Sequence, residues 1–331
     1  MLTEATELYG GIDGLAVLAR DAGAGQAELF LDWIQGLRRA DRDTEAVTAA
    51  REALQTVDAY GDTRARLAEE LAELLSDDPQ KALDARISAW RAAPTEPRLL
   101  AMHHAASVTG HAHQAMAAEI DALNAAEDLS GALRAALLLL AGRVDDAVGL
   151  LGSPSGDQPL RSASSVLVPY LLAAGCAGPR RPEWDSTRLA ALLRTVDQAG
   201  LWDWAVLDRS DFASVMENAY PPLSRLLTEQ ITSEANDSSQ RSEGLEAALS
   251  EVGRQVNAIV SSKARGQYAR AARLLACSAE AITLAGDAKA GTQFVTKWRD
   301  RYPRHTAFHY ELDAAVEQAP LLTPPTARRT R

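Results

Sequence analysis

Residues 63–92 read TRARLAEELAELLSDDPQKALDARISAWRA, two apolar-periodic runs around a polar turn, and their reading decides the fold. In the first run Leu67, Leu71, Leu74 and Leu75 take the i, i+4, i+7 and i+8 positions of one helix face, leaving Glu69, Glu70 and Glu73 for water. The turn holds Asp77, and Ala82 follows five residues later at the start of the second run. The pattern predicts an antiparallel helical hairpin, Thr63–Leu75 with Gln80–Ala92.

The same turn residue followed by Ala recurs as Asp41/Ala46, Gly110/Ala115 and Gly142/Ala147, so successive copies lie 36, 33 and 32 residues apart. Gly or Asp tolerates the left-handed backbone that reverses the chain, and the small Ala lets the partner helix cross closely. Three more hairpins follow: Gln26–Arg39 with Thr44–Val57, Glu96–Val108 with His113–Ala125, and Ala132–Leu140 with Val144–Leu151. Thr95 reads as an N-cap with Pro97 in the first turn, and Asp185-Ser186 opens a helix over Arg188–Val196. One hairpin cannot bury its apolar faces alone, so repeats must stack. The expected fold is all-α, a right-handed array of antiparallel helical hairpins in two sections.

Composition agrees with this. In 331 residues, 47% are hydrophobic, 24% charged and only 5% aromatic, which excludes wholesale disorder and argues against an all-β fold. Breaks in the pattern set the expected organisation. Residues 1–152 form an acidic repeat section and 183–319 a C-terminal helical section. Between them, 153–182 is an irregular junction, where GSPSGDQP (152–159) and GPRRP (178–182) flank a helix over Ser165–Ala174 that Pro169 should kink. The polar stretch 233–244, SEANDSSQRSEG, reads as a mobile loop, and the Pro-rich, basic tail 320–331 as disordered.

Charge is uneven. Residues 1–152 carry 13 basic and 25 acidic side chains, a net −12, while the remainder is close to neutral. Such an acidic first half repels polyphosphate, which makes nucleic acid an unlikely partner there and favours a basic or mixed-charge protein. Cys176 and Cys277 are far apart among apolar or small neighbours, which points to reduced, buried thiols and a cytoplasmic setting. No charged-then-apolar leader opens the sequence and no apolar run approaches the length of a span, so secretion and a membrane location are not expected. Four Lys among 34 basic residues, with abundant Ala and Gly, fit a GC-rich, bacterial source.

Motifs that carry chemistry are mostly missing. There is no GxxxxGK[ST], HExxH or strand-borne GxGxxG, and in GSPSG (152–156) Pro154 stands where a nucleophilic Ser would sit. No catalytic residue, cofactor or metal site is assigned, and the chain is read as a non-enzyme. His103, His104, His111 and His113 lie within eleven residues and leave metal binding an open question. Candidate partner-binding residues are the indoles Trp33, Trp90, Trp202 and Trp204, together with the run Lys297, Arg299, Arg301 and Arg304 interleaved with Trp298 and Tyr302.

The 32–36 spacing with Gly-x-x-x-x-Ala resembles tetratricopeptide repeats, and Gly266-Gln267-Tyr268-Ala269-Arg270-Ala271 is similar to the second-helix consensus of that family. Around Trp33 the family's Leu-Gly stands here as Gly36-Leu37, and most units lack the closing Pro. The segments 132–151 and 266–312, with Tyr268, Ala272, Leu275, Gly286, Trp298 and Arg301, resemble the C-terminal helical region of bacterial SWIM zinc-finger proteins, whose CxC…CxH motif is absent. The resemblance implies a helical scaffold without the zinc module. The expected function is a non-catalytic protein–protein scaffold or adaptor using the groove of an α-solenoid. The alternatives are a ligand-sensing or catalytic domain around Trp202/Trp204 and a nucleic-acid accessory protein using the C-terminal basic run.

Overall fold

The computed structural model describes residues 2–123, 129–152, 162–176, 184–198, 220–233, 238–286 and 288–322. Every regular element among them is helical. The chain divides into two compact units, Met1–Ala122 with Asp203–Tyr220, and Leu123–Trp202 with Pro221–Arg331. The first boundary between these units is Ala122–Leu123; residues 153–161 and 177–183 of the expected junction lie outside the described residues.

The first unit runs α1 (Leu2–Ala22), α2 (Glu28–Arg39), α3 (Asp43–Thr56), α4 (Asp62–Leu74), α5 (Pro79–Ala92), α6 (Glu96–Val108) and α7 (Ala112–Leu123). From α2 onward these match the expected hairpin helices to within a few residues, while α1 precedes the first expected hairpin. The turns explain why. Asp41 and Gly110 both take positive φ, 55° and 76°. At each, the turn residue's N–H bonds the carbonyl three back and the next N–H bonds the one five back: Asp41 to Arg38 and Arg42 to Leu37, Gly110 to Ser107 and His111 to Ala106. This double closure ties off the last helical carbonyls and reverses the chain. The turn at Asp77 differs. There Asp78 caps α5, its Oδ1 accepting from the Lys81 N–H at 3.2 Å, with Pro79 opening the helix. Proline disfavours a helical residue before it, so the chain turns through an extended cap instead. Thr95 does sit at the N-cap of α6, but its hydroxyl makes no capping bond.

Ala46, Ala49, Ala50 and Ala53 form a fully buried stripe on α3, against which α2 packs Phe30, Ile34 and Leu37. Short side chains on one helix facing large ones on the next let the axes approach without voids.

The second unit contains α8 (Gly131–Leu140), α9 (Val144–Val148), α10 (Ser164–Ala174), α11 (Arg188–Arg194), α12 (Leu223–Ser233), α13 (Ser238–Ser261), α14 (Tyr268–Ala285), α15 (Ala288–Arg301) and α16 (Thr306–Glu317). Its centre is α10, in which every residue from Val166 to Ala173 is buried. A helix apolar all round must be surrounded, and α10 packs on α8, α11, α12, α13 and α14. Pro169 lies inside this helix, which continues through it. The turn from α8 to α9 repeats the closure of the first unit, with Gly142 at φ 71°.

Two expectations are corrected. Residues 238–244, expected as part of a loop over 233–244, form the first turns of α13; residues 234–237 lie outside the described set. Here Gly244 is buried, and a Cβ on it would stand 3.2 Å from the Leu171 side chain. Gly244 thus packs by close backbone approach, without an apolar side chain. The cap of α11 is Thr187, whose Oγ1 accepts from the Ala190 N–H at 3.0 Å; Asp185 and Ser186 belong to a preceding 3-10 turn. Residues 323–331 of the expected tail lie outside the described residues. No helix among the described residues is long and apolar enough to cross a membrane.

Candidate protein-docking face

In the first unit, ion pairs join like ends of alternate helices. Near the N-termini of α2 and α4, Glu28 accepts from Arg66 and Thr63, both at 2.9 Å; near their C-terminal halves, Arg38 and Gln35 both reach Glu70. Arg20 of α1 makes two bonds to Glu52 of α3, and Arg91 of α5 two to Glu119 of α7. From α4 to α6 the link is Arg98, whose guanidinium donates to Glu69 at 2.8 Å, Asp62 at 2.7 Å and the Ala93 carbonyl at 3.0 Å. Partners in these pairs stand 28 to 38 residues apart, about one repeat. Charges at equivalent places in consecutive hairpins therefore meet.

This corrects the reading of α4 in part, for Glu69 and Glu70, while Glu73 is exposed as expected. Glu69 is 7% exposed, Glu70 is half-buried against Arg38, and Glu73 pairs with Arg86, itself buried. A helix inside an array has neighbours on both flanks, so Glu69 and Glu70 are covered from the side. Burial works against the charge on Arg98, but Glu69 and Asp62 outweigh it and hold the guanidinium above its ordinary pKa. One carboxylate oxygen of Glu69, Oε2, is buried with no hydrogen-bond partner among the described residues.

Onto this network comes Tyr220. Its ring lies 5.2 Å from that of His104 on α6, tilted by 51°. Burial pushes its hydroxyl above the usual tyrosine range, opposed by Arg86 and reinforced by Glu73 and Glu69. The phenol is therefore neutral and in the field of the charged groups of α4 and α5. A tyrosine from 116 residues beyond His104 has thus been received by the α4–α6 surface.

The indoles fall elsewhere. Trp90 is fully buried and Trp33 is 7% exposed, with Arg20 stacked over its ring at 4.7 Å, so neither ring is offered to a partner. Trp202 and Trp204 lie outside the described residues. In the basic run, Arg299 pairs with Asp313 and Arg301 packs over Trp298 at 5.5 Å, while Lys297 and Arg304 are exposed. Trp298 is 8% exposed and stacks on Tyr302, whose hydroxyl bonds Asn257; the aromatics of that run thus pack inward.

His104 contacts Tyr220, and among the described residues no group of three or more His, Cys, Asp or Glu side chains is disposed to hold a metal ion. Asp78 pairs with Lys81 and Asp146 with Arg143. Both cysteines are buried thiols, and burial pushes the Cys277 thiol far up, which keeps it protonated and a poor nucleophile. The sequence reading missed Arg98, Glu69 and Tyr220. The one-repeat spacing of acid and base was the available signal for the first two; Tyr220 had none. No protein-family model matches the chain, and no curated protein matches it.

Proposed function

We propose that the chain is a non-catalytic, cytoplasmic docking scaffold, its first unit a right-handed, tetratricopeptide-like solenoid segment that receives a basic or mixed-charge protein on the α4–α6 face. Three things support the solenoid: the 32–36-residue spacing, the left-handed turns at Asp41 and Gly110, and the in-register ion pairs between alternate helices. The observation that carries the docking role is Tyr220, an aromatic side chain from a distant segment seated among His104, Glu69, Glu73 and Arg86. A surface that holds one such side chain has the mixed polar and aromatic character by which partner segments are anchored.

The test is site-specific photo-crosslinking of the full chain in its native host. A benzophenone side chain at position 104 should give a discrete protein adduct, and one at the exposed Lys289 should not. Tyr220→Ala should raise the yield at 104 by vacating the seat. Equal adducts at both positions, or none at 104 with Tyr220 removed, would dispose of the proposal.

A further inference from the structure

The second unit holds a cleft of about 400 Å³ lined by Arg188, Arg194 and Arg273, with Thr187, Thr195 and Gln318 completing its polar wall. Its construction follows from the local fold. Arg188 opens α11 and Arg194 closes it, Arg273 comes from the first turns of α14, and Gln318 follows α16. Arg188 is held in place by donating to the Gln318 side-chain oxygen. Among the described residues, Arg194 and Arg273 make no ion pair, and no acidic side chain lines the cleft.

The carboxylate behind it is spoken for. Glu280 is fully buried on α14 and accepts from the Leu189 N–H at 2.9 Å, closing the start of α11 from the inside. Arg188 feels that charge, but the two outer guanidiniums face solvent. Three other arginines of this unit have carboxylate partners, Arg225 with Glu229, Arg254 with Glu251 and Arg299 with Asp313, whereas Arg194 and Arg273 share one concavity without one among the described residues. Arg194 and Arg273, uncancelled beside Arg188 around one concavity, repel one another, a cost that an oxyanion removes.

We propose that this cleft binds the phosphate group of a small molecule. Three forks and the Gln318 amide offer more donors than a single carboxylate can accept, whereas a phosphate presents three or more acceptor oxygens. The volume suits a ligand of metabolite size. The docking proposal for the first unit does not enter this argument.

Titration calorimetry of the full chain with inorganic pyrophosphate, and separately with citrate, tests it. Wild type should bind pyrophosphate with a dissociation constant below about 1 mM and at least about tenfold more tightly than citrate. Arg194→Ala and Arg273→Ala, both at exposed positions, should each weaken pyrophosphate about tenfold or more, and Arg273→Lys less, since it keeps charge but loses the fork. Lys297→Ala, at an exposed position on α15, should change nothing. Absence of binding at millimolar pyrophosphate, equal affinity for citrate, or equal weakening by Lys297→Ala would overturn the proposal. Far-UV circular dichroism of each variant should match wild type, which separates lost binding from lost fold.

Discussion

Replacing Arg98 by Ala should be the most damaging single change to the first unit. Its side chain is 9% exposed and makes three hydrogen bonds, one of them to Glu69, whose side chain is also 9% exposed. Removal strands the Glu69 carboxylate, whose Oε2 already lacks a partner. Breaking a buried pair from one side costs about 3–5 kcal/mol, because the remaining charge stays desolvated. Asp62 is 43% exposed and rehydrates, so it adds little. With a urea m-value of about 2 kcal/mol/M, the midpoint of the first unit's transition should fall by about 2 M. Tryptophan fluorescence and circular dichroism, followed together, would read it. The double variant Arg98→Met, Glu69→Leu should recover most of the loss, since an apolar pair of similar volume replaces both charges. A midpoint shift under about 0.5 M for Arg98→Ala, or no recovery in the double variant, would refute the view that α4 and α6 are joined through a desolvated ion pair.

Asp41 holds a left-handed φ of 55° that glycine adopts without strain, so Asp41→Gly should raise the thermal midpoint, while Gly110→Val, at φ 76°, should lower stability by about 1–2 kcal/mol in the same urea assay. Thr187→Ala removes the cap of α11 and should cost the second unit about 1 kcal/mol. Burial pushes the Glu280 carboxyl up while the Leu189 N–H pulls it down, and the net shift is upward. A raised folded-state pKa means a stabilising contribution fully present below the ordinary glutamate range and lost as pH rises through the folded value. Glu280→Gln should therefore gain on wild type as pH rises from 4 to 8, measured by urea midpoints across that window.

The helices of the first unit were legible because each is announced twice, by an apolar stripe and by a turn residue with a geometric duty. Leu67 and Leu71 placed α4 on the page, and Asp41 and Gly110 placed the reversals. What one stripe could not tell is how many neighbours a helix has. Glu69 looks wet on a helical wheel and becomes 7% exposed only because α6 lies on its flank with Arg98 pointing back. The division at Ala122–Leu123 was hidden for a similar reason: α8 continues the period of the repeat yet packs on α10 and α12. The docked start of α13 escaped because Gly244 works by having no side chain, and hydropathy cannot register that.

The acidic surplus of residues 1–152 also changes meaning once the pairs are known. Glu28, Glu52, Glu69, Glu70 and Glu119 are each matched to an arginine about one repeat away, so their charge holds repeats together, and Glu73 pairs with Arg86 within one hairpin. Asp41, Asp43 and Asp77, by contrast, form no ion pair among the described residues. All three lie at the turns that follow α2 and α4, and the in-register pairs between those helices put the two turns at the same end. Part of the unneutralised field therefore lies along this turn edge. A basic partner would be drawn first to that edge and then seated on the α4–α6 face. Rate and residence should accordingly separate. Asp41→Asn, Asp43→Asn and Asp77→Asn together should slow association with the captured partner and flatten its salt dependence, with little change in dissociation. Substitution of His104 should do the reverse. If the triple aspartate variant instead dissociated faster while associating at the wild-type rate, the edge would be part of the contact itself, and steering would have to come from elsewhere.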